Sequence, residues 1–274
     1  MLQPFRPSAI LLTKKSSSSK VWLNRQSRDP YVKLRVSSEA SVAGSTSYRS
    51  RSAFKLLEMD DKWHFLTPRD VNVVLDLGSA PGGWSQVVAQ RLGWADTPGS
   101  ATDEWDAANP LDISGFESAG GRRGRGTIVA VDLLRMDPIP GVQFVQADFL
   151  APSTEGLLHA LVPDIDSDGG AGEADVILCD MAGNSTGNTS HDIESSLAIC
   201  TSVFEFTKRH MRAARSVGRE MGGVLLIKHF RHPLIDAFRT EHLVPHFRDV
   251  RYLKPNASRT ESREGYFLCR GWRG

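Results

Sequence analysis

Charged side chains recur at the ends of apolar runs in this chain, where burial penalises them unless they have partners or a task. Asp76 stands near the end of V-V-L-D-L, and Asp132 ends T-I-V-A-V-D. Asp148 lies in V-Q-F-V-Q-A-D-F, Asp180 ends A-D-V-I-L-C-D, and Lys228 interrupts V-L-L-I-K-H-F. Carboxylates at strand ends suit a ligand that carries hydroxyls or positive charge. An acid closing the second strand is placed to accept from the ribose hydroxyls of an adenosine, and Asp148 could accept from the adenine amino group. Directly after Asp76 comes G-S-A-P-G-G-W (78–84), whose glycines let backbone approach a ligand closely. The order Gly78, Gly82, Gly83 is not G-x-G-x-x-G and fits a pyrophosphate poorly. An adenosyl cofactor such as S-adenosylmethionine, with hydroxyls and a sulfonium charge, suits this set. A dinucleotide site and a purely structural turn are the competing readings.

Bringing these groups to one edge requires an open, mostly parallel sheet, because ligands bind outside the carboxyl ends of its strands. The uninterrupted apolar run Val73–Leu77 reads as a buried parallel strand. Helical spacing resumes at Trp84, Val87, Val88 and Leu92. Further strands are expected at Thr127–Asp132, Val142–Phe149, Ala174–Asp180, Gly222–Phe230, Val250–Leu253 and Gly265–Cys269. Helices are expected at Tyr48–Trp63, Pro152–Leu161, Asp192–Val217 and Ile235–Leu243. The expected fold is α/β, a seven-stranded mostly parallel Rossmann-like sheet with helices on both faces. Gly93–Gly126 has no apolar periodicity and reads as a surface insertion; its arginines are either a solvated loop or a phosphate contact. The loop between the last two strands is polar and basic and carries Glu264.

The chain has 274 residues, 40% of them hydrophobic, and a net charge of +1. Any nucleic-acid surface must therefore be a local patch. The three cysteines are far apart and form no C-x-x-C or Cys/His cluster, so neither a disulfide framework nor a metal site is expected. No apolar run is long enough to span a bilayer, and nothing points to an obligate protein partner. Residues 1–28 contain Arg6, Lys14, Lys15, Lys20, Arg25 and Arg28, four consecutive serines and no acid. That composition predicts a mitochondrial transit peptide and a matrix protein; a disordered basic tail is the bland alternative. Residues 29–47 are expected to form an arm and linker, and 48–274 the main domain.

Taken together, the ordered blocks resemble the FtsJ-type family of ribosomal RNA 2′-O-ribose methyltransferases. They are S-R-S-A-F-K-L (50–56), D-L-G-S-A-P-G-G-W-S-Q (76–86), V-D-L-L-R-M-D-P (131–138), Q-A-D-F (146–149), C-D-M-A-G-N (179–184), I-K-H-F (227–230) and P-N-A-S-R-T-E-S-R-E-G-Y (255–266). The resemblance spans roughly Tyr48 to Arg270 and implies a class I S-adenosylmethionine-dependent fold. It places a Lys-Asp-Lys-Glu tetrad on Lys55, Asp180, Lys228 and Glu264. It places cofactor contacts on Gly82, Gly83, Trp84, Asp132, Asp148 and Asp180. Where the family has D-M-A-P-N, this chain has Gly183 in place of proline, which is expected to loosen the loop.

The resemblance makes chemical sense of the residues. A ribose 2′-hydroxyl is a weak nucleophile, so methyl transfer needs positioning and help with one proton. Lys228 is the expected base, with Lys55 nearby favouring its deprotonation and the two acids orienting the amines. Arg49, Arg51, Lys254, Arg259 and Arg263 are the expected RNA phosphate contacts. The stretch W-L-N-R-Q-S-R-D-P-Y (22–31) is similar to the mitochondrial branch, which implies a uridine in mitochondrial large-subunit rRNA, met within an assembling particle. A transferase acting on tRNA or an mRNA cap, and a largely non-catalytic rRNA-binding assembly factor, remain as alternatives.

Overall fold

The computed structural model describes residues 29–31, 48–94, 124–163, 172–183, 188–259 and 261–274. The expected transit peptide, most of the arm and linker, and residues 95–123 of the insertion lie outside the described residues. The chain divides into two units, Met1–Ser47 and Tyr48–Gly274. In the first, the Tyr31 N–H donates to Asp29 Oδ1 at 3.0 Å. The second carries the fold.

That unit runs α1 (Ser52–Trp63), β1 (Val73–Leu77), α2 (Gly83–Arg91), β2 (Thr127–Asp132), β3 (Val142–Gln146), α3 (Pro152–Leu161), β4 (Val176–Cys179), α4 (Thr189–His210), α5 (Ala214–Val217), β5 (Val224–Phe230), α6 (Pro233–Phe238), a π-helical turn (Arg239–Leu243), α7 (Val244–His246), β6 (Phe247–Leu253) and β7 (Glu264–Trp272). The strands form one sheet in the order β3-β2-β1-β4-β5-β7-β6. Strands β1 to β5 are parallel, and β7 runs antiparallel to both β5 and β6. Every residue of β1 and β4 is buried, because helices cover both faces. This is why those strands read as continuous apolar runs. One face packs Leu75, Ile177, Leu225 and Phe267 under Val203 and Phe204 of α4. The other packs Val74, Leu178, Leu226 and Leu268 under α1 and α2.

Several boundaries differ from expectation for physical reasons. Helix α1 starts at Ser52, and just before it the Arg49 N–H donates to Gln86 Oε1 at 2.7 Å. The expected long helix 192–217 breaks after His210. There the chain turns to exchange backbone hydrogen bonds with Ala174 (2.7 and 3.0 Å). The break places the guanidinium of buried Arg212 3.2 Å from Asp175 Oδ1, while Asp175 Oδ2 accepts from the N–H groups of Asn72 and Val73. Strand β3 ends at Gln146, so Asp148 lies just beyond the strand. Glu264 is not in the loop; it is the first residue of β7.

Candidate active site

The two lysines and two acids implied by the resemblance come from four separate elements and converge at the C-terminal edge of the parallel strands. Lys55, buried on the sheet-facing side of α1, places Nζ 2.6 Å from Glu264 Oε1. Lys228 Nζ donates to the main-chain oxygen of Asp180 at 2.8 Å and lies 3.3 Å from its Oδ1. Lys228 and Tyr266 are register partners on β5 and β7, so their side chains leave the same face of the sheet. Tyr266 joins the two pairs. Its hydroxyl lies 3.2 Å from Lys55 Nζ, 2.9 Å from Asp180 Oδ1 and 3.2 Å from Glu264 Oε1.

Sequence reasoning assigned Tyr266 no role, although it follows Glu264 by two residues. On a strand that spacing puts both side chains on one face. Ser258, also unassigned, donates to Glu264 Oε1 at 2.9 Å.

The electrostatics follow from burial and charge. Burial pushes the Glu264 carboxyl up, but the Lys55 and Lys228 charges and the hydrogen bonds from Lys55 and Ser258 outweigh it, holding Glu264 below the usual carboxylate range. Burial, together with the Asp180 and Glu264 charges, raises Tyr266 well above an ordinary phenol. Tyr266 therefore stays neutral and keeps its proton for donation. Burying ions in this way costs roughly several kcal/mol each before pairing, so the cluster is poorly explained as a device for stability alone.

Beside the cluster opens a cavity of about 610 Å³ lined by Gly78, Ala80, Asp132, Asp148, Asp180 and Gly183 among others. Asp132 is held by the N–H groups of Ala80 (2.9 Å, to Oδ2) and Leu134 (2.8 Å, to Oδ1). Asp148 Oδ1 accepts from the Leu150 N–H at 2.9 Å. Each carboxylate is thus oriented by backbone and keeps acceptor capacity for a ligand. Leu133, Leu134 and Leu150 also line the cavity and are 64%, 68% and 54% exposed. Together they offer apolar surface for a flat ring beside hydroxyl acceptors. The volume lies within the range of about 300–1,000 Å³ typical of small-molecule sites. The residues present fit S-adenosylmethionine.

Other expected contacts fall elsewhere. Gly82, Gly83 and Trp84 do not line the cavity. A Cβ on Gly83 would stand 2.0 Å from Ser50 Oγ, and one on Gly82 2.7 Å from Ile139 Cδ1. Gly83 allows α2 to pack closely against the start of α1, and Gly82 allows the turn to pack against Ile139 and Met136. Trp84 is buried, donates from Nε1 to the Ser52 carbonyl at 2.9 Å, and packs 5.8 Å from the Tyr266 ring. The glycine turn therefore braces the helix that carries Lys55. Asp76 is fully buried and accepts from Ser85 Oγ at 2.6 Å instead of facing the ligand. At Gly183 a Cβ would meet Ser195 Oγ at 2.0 Å, so the backbone lies close to α4 at this point.

Among the expected RNA contacts, the Arg49 guanidinium donates to the carbonyls of Asp137 and Pro138, and that of Arg51 to Ala257. Both act as internal clamps. Lys254 is exposed and donates to Ser262 O at 2.7 Å, while Arg259 and Arg263 are exposed, Arg263 directly preceding Glu264.

A sheet of this order with its reversed seventh strand, together with an acid-lined cavity, defines the Rossmann-like methyltransferase class. The model of the FtsJ-like methyltransferase family matches residues 48–272, and the chain belongs to that family. It is 38% identical over 257 residues to the ribosomal RNA large subunit methyltransferase E of Rhodopseudomonas palustris (strain HaA2), covering 94% of this chain and 86% of that protein. It is 36% identical to the protein of the same name from Afipia carboxidovorans, covering 95% and 92%. A solved Plasmodium falciparum structure, assigned as a ribosomal RNA methyltransferase, superposes with a TM-score of 0.60 at 25% identity, covering 83% of this chain and all of that one.

Proposed function

We propose that this protein transfers a methyl group from S-adenosylmethionine to the 2′-hydroxyl of a ribose, expected to be a uridine, in mitochondrial large-subunit ribosomal RNA. The observation that carries this reading is the convergence of Lys55, Asp180 and Glu264 on the Tyr266 hydroxyl, with Lys228 held by Asp180, beside the acid-lined cavity. The names of the large-subunit relatives support the RNA class. The acid-free, basic composition of residues 1–28 supports the mitochondrial setting.

Asp132 would accept from the cofactor's ribose and Asp148 from its adenine, with Asp180 at the end nearest the amines. The cofactor supplies an electrophilic methyl when bound. Lys228, steered by Asp180, accepts the 2′-hydroxyl proton. Lys55, held by Glu264 and Tyr266, places a positive charge where the oxygen becomes electron-rich. Tyr266 fixes the spacing between the two Lys–acid pairs.

Mapping 2′-O-methyl positions in mitochondrial rRNA with and without the protein tests this directly. Loss of one large-subunit position is expected, and an unchanged map would refute it. That the RNA is met within an assembling particle is tested by comparing activity on isolated large-subunit precursors with activity on naked rRNA; higher activity on precursors is expected.

A further inference from the structure

A second, smaller cavity of about 270 Å³ opens at the same end of the sheet but on the opposite face, lined by Arg231, Asp236, Arg239, Tyr252 and Phe267. Lys228 and His229 are neighbours on β5, as are Tyr266 and Phe267 on β7, so each pair sends one side chain to each face. The amine cluster and this pocket therefore lie back to back. Its size suits a single planar ring system rather than a whole cofactor.

The floor of the pocket is aromatic. Phe267 stacks on His229 with ring centroids 3.9 Å apart, and the His229 ring lies 5.7 Å from that of Tyr252. His229 is buried, and among the described residues neither ring nitrogen has a hydrogen-bond partner. It is a neutral ring that extends the stack. Tyr252 forms a wall, 43% exposed, with its ring over the backbone of Gly265.

The rim is charged. Arg239 is anchored to the Val250 carbonyl at 3.0 Å. The exposed Arg231 guanidinium has no side-chain partner among the described residues, and the exposed Asp236 carboxylate has no hydrogen bond or ion pair there. The backbone N–H of Arg231 donates to the Arg263 carbonyl at 2.8 Å, so this rim joins the segment that delivers Glu264 to the amine cluster.

We propose that this pocket holds a nucleotide flanking the one methylated, with its base against Tyr252, its phosphate on Arg231 and its amino edge on Asp236. The assignment rests on RNA being the substrate, as proposed above. An aromatic wall beside a free guanidinium is the chemistry that holds single-stranded RNA. A carboxylate accepts from the cytosine amino group, which uracil lacks. An RNA strand whose target ribose lies at Lys228 would pass the exposed Arg263 and fold over the end of β5 into the pocket.

The test is fluorescence anisotropy of the full-length protein with labelled C10 and U10 RNA oligonucleotides. Tyr252→Leu is expected to weaken C10 binding by about tenfold, while Tyr252→Phe binds like wild type. Arg231→Ala should reduce the slope of log affinity against log salt by about 0.7. Wild type should prefer C10 to U10, and Asp236→Ala should lose that preference. Unchanged C10 binding and salt slope in both Tyr252→Leu and Arg231→Ala, or no RNA binding by wild type, would overturn the proposal. Wild-type binding that depends on Tyr252 and Arg231 without methylation of any rRNA would leave the pocket assigned and refute the proposed activity instead. Normal methylation and RNA affinity in all the pocket variants would do the reverse.

Discussion

Replacing Asp180 by Asn removes a charge while keeping side-chain volume, and the structure sets the size of the effect. Oδ1 of Asp180 lies 3.3 Å from Lys228 Nζ and 2.9 Å from the Tyr266 hydroxyl. Lys228 keeps a second anchor after the change, because it also donates to the Asp180 main-chain oxygen at 2.8 Å. The amine should thus stay in place and lose only its charge-assisted contact. Such contacts contribute about 1.5–3 kcal/mol, which corresponds to a loss of roughly 10- to 150-fold in kcat at about 1.4 kcal/mol per tenfold. Single-turnover methyl transfer from labelled S-adenosylmethionine to large-subunit particles measures the chemical step, and calorimetry measures cofactor affinity. The expected result is a reduced single-turnover rate at saturating cofactor. An Asn variant with the wild-type rate would show that the carboxylate does not steer Lys228 and would refute the reasoning.

Three other outcomes are expected. Asp132→Asn should weaken S-adenosylmethionine binding by about tenfold or more, one charge-assisted contact, with little change in the single-turnover rate; unchanged affinity by calorimetry would remove the ribose assignment. Gly183→Ala should weaken cofactor binding because its Cβ meets Ser195, and adding Ser195→Gly should restore it; independent, additive effects would contradict the steric account. Asp76, pushed up to about 7 by burial with Asp180 and Asp132 nearby, binds its proton more tightly folded than unfolded. Its stabilising effect is therefore full below about pH 4 and lost as pH rises through about 7, a change on the order of 4 kcal/mol at most. Urea titrations at pH 5 and 8 should show that decline, and Asp76→Asn should flatten it.

The centre of the sheet was legible because its strands are buried on both faces and leave unbroken apolar runs; Val73–Leu77 and Thr127–Asp132 lie where the pattern places them. Element ends were less legible, since tertiary partners decide them. The pairing of Arg212 with Asp175 that accompanies the end of α4 joins residues far apart in sequence. Lys228 and Asp180 stood out as charges in apolar surroundings, whereas Lys55 and Glu264 emerged only through the resemblance. Tyr266 escaped notice because a tyrosine in a β-strand is ordinary, and only the fold shows its hydroxyl between two acids and an amine. The Arg49 and Arg51 contacts were illegible for the opposite reason: nothing in the pattern of these basic residues shows that their guanidiniums donate to the main-chain carbonyls of Asp137, Pro138 and Ala257.

The most direct test of the central claim, that the Lys228 amine takes the proton from the ribose hydroxyl, is the single-turnover rate of Lys228→Ala at saturating S-adenosylmethionine. The account predicts a loss of about 10²–10⁴-fold with cofactor affinity retained. A Lys228→Ala protein that methylates RNA at the wild-type rate would contradict it.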